Sequence, residues 1–226
     1  MHILILFQNR YFFILKGTIL NQLKKPVLSF SKLFKGLLPG ATMVAPVSPD
    51  VPTSGVSVVI EKEFTNIYLL TKGYAHVKRS EDGVILYTIF APFTLGFSLY
   101  PGADAYYTIE LGPESELYQS PRSIVLNTIK RDDLLREWMT VVSYKMAFLY
   151  ERDRNILNQS SEFIVYRMLT RLMGLPPYFR DNISLYKYVE ERTCLSRSSI
   201  SRIVSKLKNE GSIVTEGGRL INIKSF

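Results

Sequence analysis

The sequence is poor in the residues that bind metals and form disulfides. Its 226 residues include one cysteine, Cys194, and two histidines, His2 and His76. A single cysteine cannot form an intrachain disulfide, and nothing in the sequence indicates an oxidising compartment. Structural zinc sites and iron–sulfur clusters need several Cys or His ligands. We therefore expect no metal and no cofactor, and we expect a cytoplasmic protein.

The sequence also lacks common active-site motifs and long hydrophobic segments. It contains no phosphate-binding loop, no GxSxG elbow and no HExxH pair. The carboxylate pairs Asp132-Asp133 and Glu190-Glu191 have cations nearby, which is typical of a solvated surface rather than of catalytic acids. The apolar runs at residues 3–7 and 11–15 are too short for a membrane helix. The sequence therefore predicts neither an enzyme nor membrane insertion.

The positive charge is distributed unevenly along the chain. The formal net charge is +8, and the 46% of hydrophobic residues suffice for a real core. Residues 1–40 carry six Lys/Arg and no acid, residues 41–177 carry 13 basic against 15 acidic residues, and residues 178–226 carry 9 against 5. A near-neutral middle and a basic C-terminal part are typical of a sensor joined to a DNA-binding module.

The stretch 196–208 combines an apolar face with a cationic face at helical spacing. The apolar positions form one stripe: Ile200, Ile203, Val204 and Leu207. The opposite face holds only cations and hydroxyls: Arg197, Ser198, Ser201, Arg202, Ser205 and Lys206. Ser196 is predicted to be the N-cap of this helix, and Gly211 to end it. Such a face suits DNA, because Arg and Lys pair with phosphate and Arg can donate two hydrogen bonds to guanine.

A short hairpin is predicted directly after this helix. Residues 212–215 and 219–224 flank Glu216-Gly217-Gly218, a sequence suited to a tight turn. Together with the preceding helix, residues 183–223 predict a winged helix-turn-helix that binds double-stranded DNA. The predicted DNA-binding residues are Ser196, Arg197, Ser198, Ser201, Arg202, Ser205, Lys206 and Arg219.

Residues 44–130 show short apolar runs separated by turn residues. Such strands, recurring about every ten residues, are typical of an antiparallel barrel or sandwich. The predicted strands are 56–60, 67–70, 74–78, 84–90, 106–111 and 123–129. A helix is predicted before them, at 23–37. The expected fold class is α+β, with an N-terminal antiparallel β-barrel, a long connector helix and the C-terminal winged helix-turn-helix.

Three segments resemble the cyclic-AMP receptor/fumarate-nitrate regulator superfamily. The run LSRSSISRIV at 195–204 is similar to its recognition helix, and GGRLI at 217–221 to its wing. The run IYLLTKGYA at 67–75 is similar to the strand-turn-strand signature of its cyclic-nucleotide-binding jelly roll. The resemblance implies a dimeric transcription regulator in which Arg197, Ser198 and Arg202 reach base edges.

Two positions depart from the superfamily pattern at the DNA-binding motif. Thr193-Cys194 stands in the inter-helix turn, where the family often has glycine, and Ser198 replaces a usual glutamate. The standard half-site therefore does not follow. We expect Cys194 to be buried by packing, with a redox switch as the alternative. The layout is similar to a small enterobacterial subgroup named for inhibition of hydrogen peroxide resistance.

The ligand chemistry of the superfamily's barrel is not matched. Nucleotide-binding members use a short helix with Gly and Glu, followed by an Arg for the phosphate. Here APFTLGFS at 91–98 keeps Gly96 without a neighbouring carboxylate, and the Tyr-Tyr-Thr run at 106–108 stands where that Arg is expected. We expect no cyclic-AMP binding. The aromatic residues of this region either line a pocket for another effector or form core and rim: Phe90, Phe93, Phe97, Tyr100, Tyr106 and Tyr107.

Residues 131–158 contain no Pro or Gly and predict the long connector helix. Its apolar side comprises Leu134, Trp138, Val141, Val142, Lys145, Met146, Leu149 and Tyr150. Asp132-Asp133 suits the start of such a helix. In the superfamily the matching helix forms the homodimer interface; packing on its own barrel is the alternative. The predicted domains are 1–40 (extension and helix), 41–130 (effector-like barrel), 131–158 (connector) and 159–226 (winged helix-turn-helix).

Two functions are compatible with these observations. The first is a sequence-specific bacterial transcription regulator whose barrel has lost the nucleotide-binding residues. The second is a partner-controlled interaction protein, in which the barrel binds another protein and DNA binding is secondary. The cationic helix face favours the first, and the missing ligand residues favour the second. An unknown small molecule or protein is an expected effector in either case.

Overall fold

The computed structural model describes residues 24–46, 56–59, 65–97 and 107–224. These residues fall into two compact units, an N-terminal unit at Lys25–Asp153 and a C-terminal unit from Arg154 onward. The predicted strand end at residue 60, the tyrosines 100 and 106, and the apolar runs before residue 24 lie outside the described residues. None of the described helices is long and apolar enough to cross a membrane.

Among the described residues of the N-terminal unit, eight strands form two antiparallel sheets. They are β1 (Thr42–Pro46), β2 (Val56–Val59), β3 (Asn66–Lys72), β4 (Tyr74–Arg79), β5 (Ile85–Phe90), β6 (Phe93–Leu95), β7 (Tyr107–Leu111) and β8 (Glu116–Pro121). The sheet orders are β1-β8-β3-β6 and β2-β7-β4-β5, which is the arrangement of an eight-stranded jelly roll. The predicted α+β class with an N-terminal jelly roll is confirmed.

The turn between β3 and β4 passes from one sheet to the other and depends on a glycine. Gly73 has a φ of +75°, and a Cβ at this position would collide with Ser115. The Ser115 hydroxyl fills that space: it accepts a hydrogen bond from Tyr74 N at 3.1 Å and donates one to Tyr74 O at 2.8 Å. Only glycine permits this close approach.

Three helices accompany the sheets in the described part of this unit. They are α1 (Val27–Leu37), followed by a 3₁₀ turn at Leu38–Gly40, α2 (Arg122–Arg131) and α3 (Leu135–Ile156). The apolar side of α1 is buried in the core of this unit through Phe30, Leu33, Phe34 and Leu37. The predicted helix at 23–37 is confirmed from Val27 onward.

The predicted strand at 123–129 is wrong, because these residues belong to helix α2. The β-branched residues of this run suit a strand, but burial follows a helical period. Val125, Thr128 and Ile129 are buried, whereas Ile124 and Leu126, on either side of Val125, are exposed. A strand would instead have buried alternate positions.

The start of the connector helix also differs from the prediction. Helix α3 begins at Leu135 rather than at 131. Asp132 is the C-cap of α2, where its carboxylate pairs with Arg131 at 2.7 Å, and Asp133 has a φ of +51°. The two aspartates therefore lie in the break between two helices, and Asp132 ends α2 instead of opening the long helix.

The C-terminal unit consists of short helices and a hairpin. Its elements are α4 (Ser161–Met173), α5 (Pro177–Arg180), α6 (Leu185–Glu190), α7 (Arg197–Asn209), β9 (Ile213–Glu216) and β10 (Arg219–Ile223). Helix α4 is capped by Ser160, whose hydroxyl accepts a hydrogen bond from Phe163 N at 3.2 Å. The helix order and the hairpin are those of a winged helix-turn-helix, as predicted.

Candidate nucleic-acid interface

Helix α7 is fixed by its cap and by its apolar stripe. The Ser196 hydroxyl accepts a hydrogen bond from Ser199 N at 3.3 Å, which confirms the predicted N-cap. All four stripe residues are buried: Ile200, Ile203, Val204 and Leu207. The helix ends before Gly211, whose φ is +71°, and Ser212 N donates to Leu207 O at 2.9 Å. The opposite face of α7 is thereby turned away from the core of this unit.

The structure places the predicted DNA-binding residues on one side of α7 and on the hairpin. Most are exposed within the C-terminal unit: Ser196, Arg197, Ser198, Arg202, Ser205, Lys206 and Arg219. Ser201 is half-buried. Seven of the eight residues thus occur on α7 or its cap, and Arg219 occurs at the first position of β10.

Two of these cations form ion pairs that the sequence patterns did not reveal. Arg197 Nη1 lies 3.1 Å from Glu190 Oε2 at the end of α6. Lys206 Nζ lies 2.7 Å from Glu162 Oε2 in the first turn of α4. The hydrogen bond from Lys206 to Glu162 raises the pKa of this lysine. Both partners lie on other helices, α6 and α4, so the residue spacing within α7 gives no signal for them.

Arg202 and Arg219, unlike Arg197 and Lys206, form no ion pair within the described residues. Both side chains are exposed, and neither has a hydrogen bond or an ion pair with another residue of the described part of the chain. Their guanidinium groups are therefore available to phosphate or to a base without loss of an existing contact. Arg202 lies in the middle of α7, where a helix placed in a major groove meets base edges.

The wing is a tight hairpin built on two glycines. Glu216 pairs with Arg219 across the turn, and Gly217 and Gly218 have φ values of +53° and +77°. Two consecutive positive values are the requirement of a type I′ turn, which is why the Gly-Gly pair predicts it. Leu185 N donates to Gly218 O at 3.0 Å, so the turn is attached to the start of α6.

The turn between α6 and α7 corrects the prediction for Cys194, which is exposed rather than buried. Its neighbour Thr193 faces inward instead. The Thr193 hydroxyl donates to Val189 O at 2.9 Å and accepts from Leu195 N at 3.4 Å. The Thr193 hydroxyl is a good hydrogen-bond donor to the Val189 carbonyl. A cysteine thiol would be a poorer partner for this carbonyl, because a thiol is a weak donor.

Arg192 anchors the same turn from within. Its side chain is buried, its Nη1 donates to Tyr188 O at 3.1 Å, and its guanidinium lies 4.0 Å from the centre of the Tyr188 ring. Burial lowers the pKa of this arginine. A basic residue next to a helix-turn-helix would ordinarily be assigned to DNA, but Arg192 has a structural role here.

The effector-like region is densely packed where it is described. Phe93, Phe97 and Tyr107 are buried in the core of the N-terminal unit, and Phe90 is half-buried. Gly96 has a φ of +92°, and a Cβ there would come within 2.8 Å of Asn66 O. This glycine is therefore explained by backbone packing alone. Among the described residues, no group of three His, Cys, Asp or Glu is suited to hold a metal ion.

Comparison with known proteins agrees with this geometry. Residues 162–226 match a family model described as winged helix-turn-helix DNA binding. The chain is 25% identical over 162 residues to the Salmonella typhimurium protein named inhibitor of hydrogen peroxide resistance, covering 70% of this chain and 77% of that protein.

Two solved structures share the fold over both units. One is the c-di-GMP-responsive global regulator CLP of Xanthomonas campestris, with a TM-score of 0.64, 13% identity and coverage of 86% of this chain and 99% of that one. The other is a transcriptional regulator of the CRP family from Thermus thermophilus, with a TM-score of 0.51, 20% identity and coverage of 76% and 91%. The resemblance stated from the sequence is thus confirmed.

Proposed function

We propose that this chain, which has the fold of the cyclic-AMP receptor/fumarate-nitrate regulators and a DNA-binding type of winged helix-turn-helix, is a sequence-specific transcription regulator. The main support is the arrangement of α7. Its apolar stripe is buried, and its cations and hydroxyls point away from the core of the C-terminal unit. A face of this composition adds nothing to the apolar core and is complementary to a DNA groove.

The side chains of this face are assigned separate tasks. Arg197, Ser198 and Arg202 contact base edges, as in the superfamily. The remaining predicted residues contact the phosphate backbone and fix the register: Ser196, Ser201, Ser205, Lys206 and Arg219. Because Arg202 and Arg219 have no partner within the described residues, they are expected to contribute most directly.

The protein acts as a homodimer in this proposal. Helix α3 carries apolar side chains that are each more than half exposed: Leu135, Met139, Met146 and Tyr150. Their spacing places them along one side of the helix, where a second copy would cover them. A symmetric dimer places two recognition helices about one helical turn of DNA apart, so the target is expected to be a near-palindrome.

The N-terminal jelly roll does not bind cyclic nucleotides in this proposal. Tyr107 and Thr108 occupy β7, where the phosphate-binding arginine was expected, and Tyr107 is buried. Residues 1–40 are proposed as an extension and helix, 41–130 as the effector-like domain, 131–158 as the connector and 159–226 as the DNA-binding domain.

The experiment that tests this function begins with selection of bound duplexes from genomic fragments by the full-length protein. The selected site is then compared with a scrambled duplex for the parent, R202A and R202K. We expect R202A and R202K to lose about 1–3 kcal/mol of preference, because neither alanine nor lysine can replace a bidentate contact to guanine. K208A is the matched control, since it removes an exposed cation from the same helix outside the predicted residues. Equal discrimination by the parent and R202A would show that Arg202 does not contact bases.

A further inference from the structure

Arg197 and Lys206 lie at the two edges of the exposed face of α7. They are nine residues apart, or about two and a half helical turns, so their side chains leave the helix on opposite flanks. On these flanks α7 packs against α6 and α4, and each cation meets a carboxylate of the neighbouring helix, Glu190 or Glu162. The protein itself therefore neutralises both edges of the proposed DNA-binding face.

The Lys206 edge carries more negative than positive charge. Lys206 Nζ donates to both carboxylate oxygens of Glu162, at 2.9 Å and 2.7 Å. A second carboxylate lies one turn later on α7, where Glu210 Oε1 is 3.8 Å from the same Nζ. One ammonium between two carboxylates leaves this edge with a net negative charge, which repels a phosphate.

Glu162 is positioned independently of its contact with Lys206. It lies in the first turn of α4, where the helix dipole favours a negative charge, and the Ser160 cap fixes that helix end. Buried side chains hold both α4 and α7 in the core of the C-terminal unit. The carboxylate and the ammonium therefore meet without ordering a flexible segment.

We propose that Glu162 is an autoinhibitory residue, whose carboxylate occupies Lys206 in the free protein and competes with a DNA phosphate for the same ammonium. This inference rests on the proposed function and adds to it a residue outside the recognition helix. DNA gains the Lys206 contact only by displacing Glu162, so the attraction between this cation and DNA is largely offset.

The competition lowers the part of the affinity that does not depend on sequence. Contacts to phosphate carry no sequence information, so the Glu162–Lys206 pair weakens binding to every duplex alike. Arg202 forms no ion pair within the described residues and keeps its full contribution. Contacts to base edges thereby supply a larger share of the total affinity.

The test measures binding of the full-length protein to a duplex of scrambled sequence, by fluorescence anisotropy at several salt concentrations. E162Q keeps the size of the side chain and removes its charge. We expect E162Q to bind about two- to fivefold more tightly than the parent, as for an exposed ion pair. Its affinity should also depend more steeply on salt concentration, by the equivalent of about one phosphate contact.

The control for net charge is E191Q, which removes the same charge from a carboxylate that pairs with Lys187 and Arg192. E191Q should bind the scrambled duplex nearly as the parent does. Both variants are expected to fold, because exposed ion pairs contribute little to stability, and urea unfolding verifies this.

K206M separates competition for Lys206 from a general effect of the Glu162 charge. A carboxylate that only repelled DNA at a distance would weaken binding equally with and without the lysine. Competition predicts instead that E162Q gains little affinity in the K206M background and that its salt dependence does not steepen, because no ammonium is released.

The outcomes distinguish this inference from the proposed function. If neither the parent nor E162Q binds duplex at low salt, the proposed function fails and autoinhibition with it. If the parent binds, autoinhibition alone is overturned by an E162Q affinity no higher than that of E191Q. It is also overturned by an equal gain from E162Q in the parent and in K206M.

Discussion

At the scale of single residues, each unit contains cations that have no ion-pair partner among the described residues, and the environments of these cations differ. Arg202 and Arg219 are exposed, so water solvates their charge in the free protein. Lys145 is buried, and among the described residues its ammonium group lies against the aromatic rings of Phe93 and Phe97 without a hydrogen-bond partner. The first arrangement favours recognition of a polyanion, and the second makes the N-terminal unit sensitive to protonation.

The protonation of Lys145 predicts a specific pH dependence of stability. Its pKa is about 7 in the folded protein and has an ordinary value of 10.5 in the unfolded chain. Between these values the unfolded state binds a proton that the native state does not, so stability rises with pH, by on the order of 1 kcal/mol per pH unit. Urea unfolding of the parent and of K145M across this range should give curves that diverge as the pH falls, with K145M the more stable.

Lys25 also makes the stability rise with pH, in the parent and in K145M alike, because burial lowers its pKa as well. The difference in unfolding free energy between the parent and K145M therefore reports the contribution of Lys145 alone. K130M, which removes an exposed lysine from α2, should follow the parent at every pH. Parallel curves for the parent and K145M would mean that Lys145 is not buried as described.

At the scale of elements, the sequence predicts those whose signals are local. Helix α7 follows from a cap and an apolar stripe within its own residues, and the wing follows from Gly217-Gly218. The strand prediction for helix α2 was wrong, because a short run rich in β-branched residues is compatible with the helical period and with the strand period. Only the burial of Val125 and Ile129 in the folded protein distinguishes the helix from a strand. Strand β8 was missed for a related reason: Ser120 is polar but buried, and its hydroxyl donates to Gly40 O, far away in sequence.

The candidate DNA-binding site was likewise predictable only where its signals are local in sequence. Its exposed cations were predictable, since they lie opposite an apolar stripe on one helix. The ion pairs of Arg197 with Glu190 and of Lys206 with Glu162 were not, because each joins two separate helices. The inward orientation of Thr193 and the exposure of Cys194 depend on the turn geometry, which sequence spacing does not specify.

The pairing of α6 with α7 predicts the effect of removing one carboxylate. Glu190 forms an ion pair with Arg197 at 3.1 Å and places a negative charge beside the proposed DNA-binding face. E190Q should bind non-specific duplex about two- to fivefold more tightly, as expected for an exposed pair. The affinity of E190Q for duplex should also depend more steeply on salt concentration, by the equivalent of about one phosphate contact.

Fluorescence anisotropy with a scrambled duplex measures this change. E191Q is the control, since Glu191 contacts Lys187 and Arg192 and not Arg197. If E190Q bound scrambled DNA no more tightly than E191Q, the Glu190 carboxylate would have no influence on DNA affinity.

At the scale of the whole molecule, the proposed regulator combines a jelly-roll unit and a winged helix-turn-helix unit in one chain. Helix α3 runs from Leu135 to Ile156 and therefore extends from the N-terminal unit into the C-terminal one. The exposed apolar side of this helix is the proposed dimer contact. Two copies are needed for a near-palindromic site, so assembly and DNA recognition are expected to be lost together.

Substitution of one exposed apolar residue tests the dimer. M146E places a charge in the middle of the proposed contact and should give monomers at concentrations where the parent is dimeric, as measured by sedimentation velocity. Affinity for the selected duplex should decrease with it. M43E is the control, because Met43 is a similarly exposed methionine on β1. Unchanged dimers in M146E would place the interface elsewhere.

The salt dependence of duplex binding tests the central claim most directly, namely that the cationic face of α7 lies in a DNA groove. For about six phosphate contacts, the logarithm of the affinity should fall with the logarithm of salt concentration with a slope of roughly −5, for selected and scrambled duplexes alike. The selected duplex should remain the tighter ligand throughout, and R219A should reduce the slope by about one. Absence of duplex binding at low salt, or an affinity that does not change with salt, would contradict the account.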